Sequence, residues 1–174
     1  MDSSTKSRAD QLTEVEDRSR NRALLLISVS TVFGLSVWFS TNAIAPALEA
    51  EKGFSVGDIA WLTIAVQMGF VAGSLLIAVT NLADLIPARR LYGVAAIAAG
   101  VMNLLVIPID NFAVVIVVRF ATGMFLGGVY PPGMKILSGW FVKGRGIALG
   151  AMIGALTIGS GSPHLLRSLF SDQW

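Results

Sequence analysis

Apolar residues run along this chain in long blocks rather than in alternation. Stretches free of Asp, Glu, Lys and Arg extend from Ala23 to Leu48, Ile59 to Leu82, Leu91 to Ile109 and Gly146 to Leu166. A further block, Phe112 to Met134, is interrupted only by Arg119. Each reaches or approaches the roughly 20 residues that a helix rising 1.5 Å per residue needs to cross a bilayer. Barrel strands would instead alternate over about 10 residues, and runs such as Ala23 to Ile27 and Val114 to Val118 do not alternate. The pattern predicts an all-α membrane protein with about five transmembrane helices. Their connections are short, so consecutive helices are antiparallel neighbours and any function sits within the helices.

Composition and charge sharpen this picture. Hydrophobic residues make up 54% of the chain and charged residues 14%, a balance that a water-soluble core could not bury. Lys6, Arg8, Arg18, Arg20 and Arg22 precede the first span, Arg89 and Arg90 follow the second, and Lys135, Lys143 and Arg145 follow the fourth. Only Lys52 and Arg167 fall on the opposite side. Because Lys and Arg collect in cytoplasmic loops, the N-terminus is predicted to be cytoplasmic in a multi-pass protein of the cell (inner) membrane. Residues 1–22 form a polar tail, expected to be disordered or a loose surface helix. The first apolar block is too long for a cleaved signal peptide. No basic patch is interleaved with aromatics, so no nucleic-acid partner is expected. The absence of cysteine removes disulfides, thiolate metal sites and thiol nucleophiles, and neither a metal nor a cofactor is implied.

Helical spacing then sorts candidate residues. The glycine pairs Gly69/Gly73, Gly123/Gly127 and Gly150/Gly154 match the small-residue spacing that lets membrane helices approach closely. Trp38, Asn42, Gln67 and Arg119 lie roughly 9 to 15 Å from the outer ends of their helices at 1.5 Å per residue, so polar groups from three helices are expected in one layer. With Tyr130 they form the candidate substrate-binding set. The block from Leu91 to Ile109, with Gly100 and Asn103 interrupting its apolar surface, is expected to face lipid. Pro131 and Pro132 predict either a hinge or a loosened terminal turn, and Lys135 is expected to snorkel to the headgroups. An ionisable residue at membrane depth marks a substrate, ion or buried partner. No acid within the spans neutralises Arg119, so an anionic small molecule, or an acid from elsewhere in a larger assembly, is the expected partner.

Three segments resemble the N-terminal half of a major facilitator superfamily transporter. Asn81 to Arg90 is similar to the family's Gly-x-Leu-x-Asp-Arg-x-Gly-Arg-Arg signature, with Leu82, Asp84 and Arg89 matching and Thr80, Leu85, Pro87 and Ala88 departing from it. Arg119 with Gly123, continuing through Gly127 and Gly128 into Tyr130-Pro131-Pro132-Gly133, resembles the helix-four pattern and, more narrowly, the anion and metabolite carriers of the family. Lys143 to Gly150 resembles the approach to helix five, although Ser162 and His164 around Pro163 depart from the antiporter pattern. The resemblance implies a partial helical bundle, cut before a sixth helix, that works with a missing C-terminal half or a second copy. It also implies a gating charge cluster in which Asp84 meets Arg89, Arg90 or Arg145.

The function expected from these readings is secondary transport of a small solute by alternating access, without enzymatic activity. Two alternatives stand beside it. One is a non-transporting membrane scaffold or half-length assembly partner. The other is an intramembrane serine hydrolase built on Ser160 and His164, one helical turn apart, for which no oxyanion hole is marked. His164 is the one histidine of the chain, and the spans contain no Asp or Glu; its shallow position is that of an interfacial residue rather than a proton relay.

Overall fold

In the computed structural model the described residues are 3–141, 144, 146–151, 153, 154 and 157, and every regular element among them is a helix. The first helix, α1 (Ser3–Ala43), is continuous through the polar tail and into the first apolar block. From Ser3 onward the tail is helical, and that helix runs without a break into the apolar block. A turn at Ile44 ends α1 before the predicted Leu48, and α2 (Ala45–Lys52) carries a proline in its first turn. That is where the missing N–H and preset φ of proline are tolerated. Gly53 closes α2 in the left-handed conformation, φ 67°, with its N–H donating to Leu48 O.

The helix α3 (Val56–Val79) starts on a reciprocal cap: Ser55 Oγ accepts from the Asp58 N–H and Asp58 accepts from the Ser55 N–H. Asn81, at φ 49°, turns the chain into the single-turn α4 (Leu82–Leu85). Then come α5 (Ala88–Leu104), α6 (Phe112–Gly127) and α7 (Tyr130–Trp140). Asn111 caps α6 by accepting from the Val114 N–H.

Three helices are long and apolar enough to cross a membrane among the described residues: Asn21–Ala43, Val56–Val79 and Phe112–Trp140. The third predicted span is shorter than expected, because α5 is a 17-residue helix ending at Leu104 rather than Ile109. The fourth is longer, running to Trp140 instead of Met134, and it is interrupted between α6 and α7. Pro131 and Pro132 explain the interruption, since neither can donate and each ring crowds the carbonyl four residues back. The N–H groups of Gly128 and Val129 bond instead to carbonyls three residues earlier, at 2.8 and 3.0 Å. Of the fifth predicted span, residues 146–151 are helical; its C-terminal part, with Ser160 and His164, lies outside the described residues.

Backbone contact between α3 and α6 is the tightest seam in the bundle. A Cβ built on Gly69 or Gly73 would overlap the carbonyls of Phe120 or Met124, and one on Gly123 would overlap the carbonyl of Val66. A Cβ on Gly127 would come within 2.6 Å of Ser74 N. Gly150 and Gly154 differ: a Cβ on either meets nothing within 4 Å among the described residues, so no close helix approach accompanies that pair. On the other side of α6, the buried Ala95 and Ala99 of α5 join Val66, Leu126 and Val129 in one apolar cluster. Thus α5 does not simply face lipid. One face packs on the bundle, while Val94, Ile97 and Val101 point outward.

Candidate functional site

Arg119 is fully buried at the centre of α6, where α1 and α5 close over it. Its Nη1 donates to Asn103 Oδ1 at 2.8 Å and to Val37 O at 3.2 Å, and its Nη2 donates to Trp38 O at 2.7 Å. Asn103 Oδ1 also accepts from Ser40 Oγ at 2.9 Å. One guanidinium therefore joins three helices through two backbone carbonyls and one amide. Thr122, also fully buried, bonds back to Val118 O one turn earlier.

This arrangement shows how Arg119 is solvated by its own chain. Carbonyl and amide dipoles, not a carboxylate, receive its terminal nitrogens, and Nε is buried without a partner. The other members of the expected binding layer separate. Trp38 meets Arg119 only through its backbone carbonyl, while its ring lies 5.0 Å from that of Phe70 on α3. Asn42 accepts from Thr63 Oγ1 of α3 at 3.0 Å, in a contact of its own. Gln67 is exposed on α3, and Tyr130 packs with the cluster of Ile27, Leu137 and Phe141. Asn103, whose isolated position in an apolar helix suggested only an interruption, is instead the amide that completes the Arg119 site.

The expected charge cluster also changes partner. Asp84 pairs with Lys135 of α7, and Lys135 Nζ additionally donates to Ala83 O at 2.8 Å. Lys135 does not simply reach for headgroups, because α7 continues to Trp140 and holds it opposite α4. Arg89 instead lies over the Trp140 ring, 5.7 Å from its centroid, and Arg90 is exposed. Arg145 lies outside the described residues. At the opposite end of the bundle, Lys52 donates to the carbonyls of Val106, Ile107 and Ile109 at 3.1, 2.7 and 2.6 Å and stands 3.3 Å from Asp110. A single ammonium thereby caps the chain where α5 has ended and α6 has not begun. No group of three His, Asp or Glu side chains is placed to hold a metal among the described residues.

Residues 26–173 match the family model of the Major Facilitator Superfamily. No curated protein and no solved structure matches the chain.

Proposed function

The chain belongs to the Major Facilitator Superfamily, whose members are membrane-embedded secondary transporters rather than enzymes, and from that premise we propose that it forms part of an alternating-access carrier for a small anion. The observation that carries the anionic reading is Arg119: a fully buried guanidinium whose acceptors are all neutral and whose Nε has no partner. Dipoles solvate such a cation without cancelling its charge, so an anion nearby gains from a low-dielectric setting. Movement of α1 away from α6 would release Nη2 from Trp38 O and open the guanidinium to a solute. The Asp84 pair with Lys135 would hold one of the two conformations, with the N-terminus on the cytoplasmic side.

A structural role competes for the same residue, favoured by its bonds to α1 and α5. Uptake of a panel of radiolabelled organic and inorganic anions into proteoliposomes of the complete carrier separates the two. Arg119→Gln is expected to abolish uptake and Arg119→Lys to retain part of it, with thermal unfolding followed in parallel. Normal anion uptake by a folded Arg119→Gln carrier would refute the anion reading. Equal loss of folding in both variants would assign the arginine to structure.

A further inference from the structure

A groove of about 450 Å³ opens where α1, α5 and α7 meet, at the end of the bundle that carries Arg22 and Arg89. Such a volume is within the range of small-molecule sites, about 300 to 1,000 Å³. Its walls are of two kinds. Leu26 and Ile136 supply an apolar side, and Arg22 and Arg89 supply a basic side, where Arg89 lies over the Trp140 ring. Among the described residues no acid lines it, and neither arginine takes part in the pair of Lys52 with Asp110 or that of Lys135 with Asp84. The hydroxyls of Ser30 and Tyr92 bond to each other, and the two guanidiniums are the charged groups of the lining.

Position selects the occupant. Arg22 stands at the start of the apolar part of α1 and Arg89 in the first turn of α5, so both lie at a membrane–water boundary, where the amphipathic ring of Trp140 is also at home. Leu26 is 67% exposed, which opens the apolar wall sideways toward acyl chains rather than into the bundle. Basic pockets between membrane helices suit anionic headgroups, and two guanidiniums offer charge-assisted bonds in the fork geometry that phosphate accepts. We propose that this groove seats an anionic phospholipid, its phosphate between Arg22 and Arg89 and an acyl chain along Leu26 and Ile136. The bound lipid tethers the start of α1 to α5 and α7. This assignment needs the membrane reading but not the transport reading, and a failure of anion uptake leaves it intact.

The test uses the 174-residue chain in nanodiscs with Trp140 as the sole tryptophan, made with Trp38→Phe, Trp61→Phe and Trp174→Phe. Quenching of Trp140 by brominated phosphatidylglycerol is compared with quenching by brominated phosphatidylcholine. Each basic residue near an anionic lipid contributes on the order of a fivefold preference, so phosphatidylglycerol should be preferred, Arg22→Gln and Arg89→Gln should each remove about fivefold, and Arg22→Lys with Arg89→Lys should keep most of it. Arg8→Gln, in the tail, should leave the preference unchanged. Equal quenching by the two lipids would overturn the proposal. So would a preference that survives both glutamine changes, which would assign it to diffuse charge on the tail. Displacement of phosphatidylglycerol by millimolar glycerol 3-phosphate would also overturn it, because the groove would then hold a soluble phosphate and the apolar wall would contribute nothing.

Discussion

A buried guanidinium needs acceptors for its N–H groups, and Arg119 finds them in groups that hydrophobic pattern alone does not distinguish. Val37 and Trp38 contribute carbonyls that any residue would carry, so their selection depends on how α1 lies against α6. Asn103 is the one partner whose side chain matters. Asn103→Leu would strip the acceptor shared by Arg119 and Ser40, and hydrogen bonds to charged groups contribute about 1.5 to 3 kcal/mol. The expected outcome is a loss of about 2 kcal/mol in detergent unfolding, with Asn103→Asp retaining the bonds and most of the stability. Wild-type stability in Asn103→Leu would mean that water or another acceptor replaces the amide at no cost. The charge of Arg119 was legible from its isolation in an apolar run. That no Asp or Glu shares the apolar spans with it was legible too, but the neutral acceptors that receive its terminal nitrogens were not.

Between elements, the seam of α3 and α6 is set by backbone approach. Without a hydrophobic drive between helices in lipid, close van der Waals packing has to supply much of the association. A methyl group on Gly123 would collide with the carbonyl of Val66, whereas one on Gly93 of α5 meets nothing within 4 Å. Gly123→Ala is therefore expected to destabilise by about 1 to 3 kcal/mol through overpacking. Gly93→Ala should be neutral or stabilising by up to about 1 kcal/mol, since alanine is the better helix former. Denaturant titration of both variants checks the contrast, and similar stabilities would mean that the helices separate without penalty. Glycines four residues apart were readable as points of approach. Which of them have a neighbour was not, because Gly150 and Gly154 share the spacing of Gly69 and Gly73 without a described helix against them.

For the molecule as a whole, the pairing of Asp84 with Lys135 ties α4, the turn after α3, to the middle of α7. Both side chains are largely exposed, and exposed ion pairs contribute only about 0.2 to 1 kcal/mol. That is too little to hold the fold, yet enough to shift two nearly balanced conformations by about 1.5- to 5-fold. In the complete carrier, Asp84→Asn and Lys135→Gln should each change labelling of an introduced Gln67→Cys by such a factor and in the same direction. The exchange of Asp84→Lys with Lys135→Asp should restore it. Independent, additive effects of the two single changes would show that the pair does not act as a unit. Because this chain contains no cysteine, the introduced thiol reports without background from it.

The sequence by itself determined the solvent, the helical class and the family, because each rests on local facts: run lengths set against bilayer thickness, backbone groups that lipid cannot satisfy, and motif residues at fixed spacing. It also marked Arg119 and the α3 and α6 glycines by their chemical oddity in an apolar setting. Only the tertiary structure decided that α1 breaks at Ile44, that the prolines interrupt one long helix between α6 and α7, and that Asp84 meets Lys135 rather than a neighbouring arginine. Helical periodicity places a residue on a face. Rotation and axial offset between helices, which choose its partner, arise from packing with residues far away in the chain.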